Sequence, residues 1–428
     1  MIKVKSPFYK TFDENSFQKE EKFIISCVNA VVAGQKFPVE GVDLKKLDWN
    51  RVINLSAIHR VIPTVGFTIL NISTTGIPAE VKLYFSDACM TIGLNNFYLT
   101  TELLSILNLS RENNIAAIPL KGPLLSVMAY GNIGLREFTD IDILVRKPDL
   151  PNVVKRIFDA GYKSEWLGTG LMKFENECEF LVNKFGRISK LDIHWKVIED
   201  YYGTPYSSDE LIARSVEKIF VHSKILLPRT EDVLLCTIMH HGKNDWKELR
   251  YIADLAGLIS QQKAIDWKFV SLKSKELGLE GNLMLGIYLA TRMFFLENSD
   301  ETFQSFKANP AIMHIGNRIL KQYFSDLTDY TPGEIKFNFS AQQKLNPRVN
   351  YFFFLKQTFF ELIRPKVIDV KGMNLPQGFY FIYYFRRFFR LLKTYGIRRL
   401  FFSVLKLMKA SIKAALKYFF GKFRRKLV

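Results

Sequence analysis

Asp140 and Asp142 constrain this chain more than any other feature. They open the run Asp140-Ile141-Asp142-Ile143-Leu144-Val145, two acids separated by one apolar residue and leading into an apolar tract. Such a run reads as the start of a half-buried β-strand, whose period of two puts both carboxylates on one face. Acids that close raise each other's pKa, and the pair is costly unless a cation sits between them. Mg²⁺ suits the position, because it prefers carboxylate oxygens together with water and substrate phosphates. The pattern points to phosphoryl or nucleotidyl transfer.

The flanking sequence adds to it. Ile115-Ala116-Ala117-Ile118-Pro119-Leu120 is a short apolar strand that breaks at Lys121-Gly122-Pro123, and a helix is expected from Leu124 to Ala129. A strand ending in a Gly turn that opens a helix presents backbone N–H groups and a positive helix end to phosphate. Lys121 adds a point charge there. Downstream, Lys190-Leu191-Asp192-Ile193-His194-Trp195 alternates as a second strand and offers Asp192 as a third carboxylate. Arg136, four residues before Asp140, is placed to hold a phosphate or the Asp pair, with a surface ion pair to Glu137 or Asp140 as its ordinary alternative.

In order along the chain, Leu120-Lys121-Gly122, Tyr130-Gly131, Leu135-Arg136, Asp140 to Val145 and Leu191 to Trp195 resemble the DNA polymerase β-like nucleotidyltransferase superfamily. The resemblance is to its bacterial branch usually labelled simply nucleotidyltransferase family protein. It covers about residues 20–300, with the specific motifs at 118–195 and 228–254. It implies an α+β fold with a small mixed sheet, flanked by N- and C-terminal helical regions. It also implies NTP-dependent transfer of an NMP group to a hydroxyl acceptor by two-metal in-line displacement. Asp140, Asp142 and Asp192 would then be catalytic and metal-binding, with Mg²⁺ or Mn²⁺ as cofactor. Lys121, Gly122 and Arg136 would bind the nucleotide. One departure stands out: the Gly-Ser of the family's phosphate turn is replaced by Lys121-Gly122. The family leaves the acceptor open, and cell-envelope or polysaccharide synthesis is one setting. A toxin-like enzyme modifying tRNA or protein, or a non-catalytic nucleotide-binding protein of this fold, are the alternatives.

Charge is distributed unevenly. Of the net +18, fifteen Lys and Arg fall after residue 370 with no Asp or Glu among them, so the first 370 residues carry only +3. Phe379 to Arg390 is apolar and then basic, and Lys406, Lys409, Lys413 and Lys417 recur at helical spacing. Basic helices with aromatic faces lie in the interface of anionic membranes. Residues 371–428 are therefore expected at a membrane surface. Burial against the body with the cationic heads snorkelling out is the bland alternative, and a nucleic-acid arm fits less well because such arms are less apolar. No uncharged apolar run approaches the roughly 20 residues of a spanning helix, and the N-terminus shows no signal-peptide pattern. Cys27, Cys89, Cys178 and Cys236 form no metal spacing. A cytoplasmic, peripherally membrane-bound protein is the expectation.

The chain divides in this reading into a helical region 1–110, a nucleotidyltransferase core 111–200, a second helical region 201–345 and the tail 346–428. Helices are expected over Phe17–Val32 and Val81–Leu109, with Asp48 capping another, and a helix after Pro148 is expected to end at Gly161. Asp326 to Pro332 reads as a loop. Thr230 is a candidate N-cap. His194 shares the face of Asp192 and reads first as a hydrogen-bonded structural histidine. His241 with Asp245, and Arg250 with Asp254, are spaced to meet on a helix and read as a polar helix face.

Overall fold

The computed structural model describes residues 17–34, 43–72, 76–164, 176–184, 186–198, 206–262, 264–294, 296, 298–306, 309–324, 345, 363–370, 373, 375–394 and 396. Its centre is a sheet of four strands, β1 (Ala117–Pro119), β2 (Ile141–Val145), β3 (Glu177–Lys184) and β4 (Arg187–His194), in the order β1-β2-β4-β3. β2 runs parallel to β4, and the outer pairings are antiparallel. Alternation sorts the side chains. Ile141, Ile143, Leu191, Ile193, Cys178 and Phe180 are buried on one face. Asp142, Glu177, Glu179, Lys190, Asp192 and His194 occupy the other.

The helices form where the periodicity places them. α1 (Lys19–Val32) begins two residues after the expected Phe17, behind Gln18 as N-cap, and α4 (Ala79–Glu112) covers the other expected stretch. α2 (Trp49–Ile58) is capped by Asp48, whose side chain accepts from the Arg51 N–H, and α3 (Ile62–Asn71) follows. α5 (Pro123–Tyr130) leaves the Gly122 turn, and α6 (Leu150–Asp159) ends just before Gly161 at φ +89°. After α7 (Ser208–Arg214) the stretch read as helical contains a two-stranded ribbon, β5 (Val216–Phe220) and β6 (Ser223–Leu227). Its short alternation was masked by the helical signals around it. α8 (Thr230–Lys243), α9 (Leu249–Gln261), α10 (Trp267–Leu277), α11 (Glu280–Phe294), α12 (Glu301–Ser305) and α13 (Pro310–Gln322) complete the body. Thr230 is not the N-cap of α8: Arg229 holds that place in an extended conformation, and Thr230 is already helical.

One apolar core runs from Phe17 to Leu345 and joins the sheet's apolar face to the helices. Its tightest seam is α5 against α9. A Cβ on Gly257 would lie 2.3 Å from the Ala129 carbonyl oxygen and 3.1 Å from its Cβ. Backbone that close cannot yield cheaply, so Gly257→Ala should cost at least about 1–3 kcal/mol, read as a lower urea midpoint. An unchanged midpoint would mean that the seam can open enough to admit a methyl group. No described helix is long and apolar enough to cross a membrane. The loop expected at Asp326–Pro332 and the stripe Lys406 to Lys417 lie outside the described residues.

Candidate active site

The site grows from the edge of β2. The Leu120 N–H donates to the Asp142 carbonyl at 3.1 Å, which ties the end of β1 to β2 and sets the turn that follows. Gly122 takes φ +49° there, and a Cβ would sit 3.4 Å from the Asp140 carbonyl oxygen. A glycine is what that conformation tolerates. The first turn of α5 leaves little for an anion: Pro123 has no N–H, and the Leu124 N–H is taken by the Lys121 carbonyl.

The parallel register sets Asp142 directly beside Asp192. Both are buried, at 6% and 7% exposure, while Asp140 lies one step before the strand and is partly exposed. The carboxylates meet cations already present. Asp142 Oδ1 accepts from Lys121 Nζ at 3.0 Å and lies 2.9 Å from His194 Nε2. His194 Nδ1 is 3.0 Å from Glu177 Oε2. Lys190 Nζ bridges Asp192 Oδ2 at 3.0 Å and Glu179 Oε2 at 3.1 Å.

These partners decide the protonation states. Burial would push the Asp142 carboxyl up, but Lys121 and His194 outweigh it and hold the carboxyl well below the usual range. Burial would likewise lower the His194 imidazolium, yet Asp142 and Glu177 raise it to about 9. Asp192 goes the other way: burial lifts it to about 6 despite Lys190, with Asp142 adding to the rise. Asp140 is also raised, by burial and then by Asp142.

Lys121 and His194 connect the carboxylates to a cleft of about 650 Å³, its open side included. The polar face of the sheet forms one wall, and α8 closes the other with Thr237, His240, His241 and Lys243. Lys196, just past β4, also lines it, so cations outnumber the carboxylate of Glu177. Such a cleft suits a polyanion.

Arg136 reaches this cleft but pairs with neither Glu137 nor Asp140. Its Nε donates to Asp254 Oδ1 at 2.9 Å, and the Tyr130 hydroxyl donates to the same oxygen at 2.9 Å. The two helical pairings read from spacing do not form. Asp254 faces the core toward Arg136 and His241, and Arg250 instead bonds Glu248 and the Glu137 carbonyl. Asp245 lies beyond the end of α8 at φ +54°, so helical spacing does not apply to it. Sequence reasoning missed Glu177, Glu179, Lys190, Lys196 and Lys243. The alternation of β3 and β4 puts the first three on the carboxylate face.

A family model described as uncharacterised nucleotidyltransferase matches residues 45–295, more than half of the chain. The chain belongs to this nucleotidyltransferase family. No curated protein matches it. Membership implies nucleotidyl transfer in general and makes the protein a transferase of phosphorus-containing groups. The match takes in both the sheet and α8, hence the whole cleft, and stops before the basic tail.

The donor set of this nucleotidyltransferase is of the right chemistry for a divalent cation: buried carboxylates crowd one face and need positive charge. One oxygen of each buried acid is paired internally, Asp142 Oδ1 with Lys121 and His194 and Asp192 Oδ2 with Lys190. Among the described residues no three His, Cys, Asp or Glu side chains are grouped closely enough to hold a metal ion. Lys121 stands beside Asp142 in the role of counter-ion.

Proposed function

We propose that the chain transfers a nucleoside monophosphate from an NTP to a hydroxyl acceptor. The observation that carries this reading is the position of Asp142 abreast of Asp192 on parallel strands, beside a cleft lined by Lys121, Lys196 and Lys243. Buried carboxylates so placed serve a cation and a hydroxyl, and ammonium groups next to them serve phosphates. In the reaction the acceptor oxygen bonds to the α-phosphorus, the bond from that phosphorus to the bridging oxygen breaks, and pyrophosphate leaves. Mg²⁺ or Mn²⁺, for which Asp140, Asp142 and Asp192 are the ligands once substrate binding draws them together, would stabilise charge on the attacking and leaving oxygens. Asp192, with its carboxyl near 6, takes the acceptor proton while Lys190 keeps it aimed. Lys121, placed by the Gly122 turn, holds the β- and γ-phosphates with Lys196 and Lys243, which line the same cleft, and this leaves Asp142 to the cation. Arg136 fixes the cleft wall through Asp254.

Among the acceptors the family leaves open, a sugar, a lipid-linked glycan or a small metabolite of envelope or polysaccharide synthesis, the lipid-linked one would place the enzyme at the inner face of a membrane. The acid-free basic segment after Asp369 suits that place. The non-catalytic reading has one observation in its favour, the neutralisation of Asp142 by Lys121 and His194. Incubation of each NTP, labelled at the α-phosphate, with cell-extract fractions separates the two. Label transfer with pyrophosphate release, abolished by a chelator, is expected, and nucleotide binding without release would leave only a sensor. Asp192→Ala should lower kcat by at least about a hundredfold while NTP binding stays within about threefold. A parallel collapse of NTP affinity would remove the proton-accepting role.

A further inference from the structure

The C-terminal helix over residues 381–394 shows two faces of opposite character. On one, Tyr383 is buried with Val370, against Met373, Leu375 and Tyr380. The Tyr383 hydroxyl donates to the Met373 carbonyl at 2.9 Å. Arg390 clamps the same side, its Nε 2.5 Å and Nη2 3.1 Å from the two oxygens of the fully buried Asp369, with Arg387 3.7 Å away. On the other, Phe381, Phe385, Phe388 and Phe389 fall at i, i+4, i+7 and i+8, one face of a 3.6-residue helix. They are 54%, 59%, 54% and 63% exposed, and Phe379 just before them is 51% exposed. Four exposed phenylalanines on one helix face are an interaction surface, since a protein in water rarely leaves that much contiguous aromatic area uncovered.

The charge around the face says what covers it. Asp369 is the last acid of the chain and is consumed by Arg390 and Arg387, so every charge that follows is positive. By helical geometry Arg386 and Lys393 line one edge of the phenylalanine face, next to Phe389. A water-soluble protein partner matched to that face would need an apolar groove rimmed with acids, whereas an anionic lipid surface offers both features continuously. Aromatic rings favour the membrane–water interface, and basic residues beside them are drawn to anionic headgroups.

We propose that the face formed by Phe381, Phe385, Phe388 and Phe389 is the membrane-contacting surface, inserting into the interface of an anionic bilayer. The packing of Tyr383 and the Asp369–Arg390 pair orient it by fixing the opposite face. The proposal rests on the membrane-surface position given above and is independent of the transfer chemistry.

The test is co-sedimentation of the full chain with phosphatidylcholine vesicles and with vesicles that also contain phosphatidylserine. Wild type should pellet with the anionic vesicles and lose several-fold of its binding in high salt, because the electrostatic part is screened. The quadruple variant Phe381→Ser, Phe385→Ser, Phe388→Ser, Phe389→Ser should bind at least about tenfold more weakly. Its melting temperature should not fall, since exposed side chains contribute little to packing. Normal binding by the quadruple variant would overturn the assignment of the face while leaving a membrane position through other residues. No binding by wild type even at low salt would overturn the membrane position itself. Sedimentation velocity covers the remaining occupant: a dimer dissolved by the quadruple variant would make the face a self-association surface and overturn the proposal. Nucleotide transfer in the absence of vesicles reports on the active site separately.

Discussion

Asp142→Asn should abolish nucleotide transfer and destabilise the fold, whereas Asp140→Asn should abolish transfer and leave the fold as stable or slightly more so. The two acids are neighbours in sequence with the same proposed role toward the cation. Losing either removes several kcal/mol of charge stabilisation, about a thousandfold in rate. Their structural roles differ. Asp142 is buried and answers Lys121 at 3.0 Å and His194 at 2.9 Å. An amide leaves the charged imidazolium with Glu177 alone and the ammonium without its carboxylate. Removing one partner from a buried pair typically costs about 3–5 kcal/mol, and the partial exposure of Lys121 brings the expectation to about 2–4 kcal/mol. Asp140 instead carries a raised pKa, from burial and from Asp142, so an amide relieves a charge its surroundings disfavour. Urea midpoints of the two variants, alongside transfer of α-phosphate label, decide the matter. Equal midpoints would mean the internal cations do not stabilise Asp142, and near-normal turnover in either variant would remove the catalytic role of the carboxylate replaced.

The largest effect on stability is expected away from the carboxylate face. Asp254 is fully buried, and one of its oxygens takes both Arg136 and Tyr130. Asp254→Ala would leave the buried Arg136 guanidinium, 5% exposed, with no counter-charge. The expected loss is about 3–5 kcal/mol. Replacing both partners by apolar residues of similar size, as in Arg136→Met with Asp254→Leu, should recover a large part of it, because the penalty lies in the uncompensated charge. The double variant also resolves the function of Arg136. If it folds and binds NTP normally, Arg136 acts on the cleft only through Asp254. If it folds but NTP affinity falls tenfold or more, the guanidinium reaches the phosphates as its position before Asp140 suggests. A double variant no more stable than Asp254→Ala would show that geometry rather than charge dominates at this node.

What could be read from the chain alone is what a few consecutive residues decide. The period of two puts Asp142 on the polar face of β2, with Asp140 one step before the strand, and Asp192 with His194 on one face of β4, since pleating acts within a strand. Gly122 marks the turn for the same local reason, and Asp48 caps α2 through a bond only three residues long. The family match over 45–295 contains all of these. Partners far apart in the chain were not legible. Arg136 and Asp254 are separated by 118 residues, and the helical spacing that suggested Arg250 as the partner of Asp254 takes no account of the competing partners, Glu248 and the Glu137 carbonyl, that packing brings to Arg250. Nor does any local pattern say that Lys121 and His194 neutralise Asp142, that Lys190 bridges Asp192 to Glu179, or that α8 closes the cleft. Those follow from burial: once the sheet and helices pack, each carboxylate withdrawn from water needs a nearby cation, and only the tertiary arrangement determines which one is within reach. The sequence determined the acids and their spacing, because strand periodicity is local. The tertiary structure decided their charge state and their partners, because desolvation and Coulomb attraction depend on distance in space.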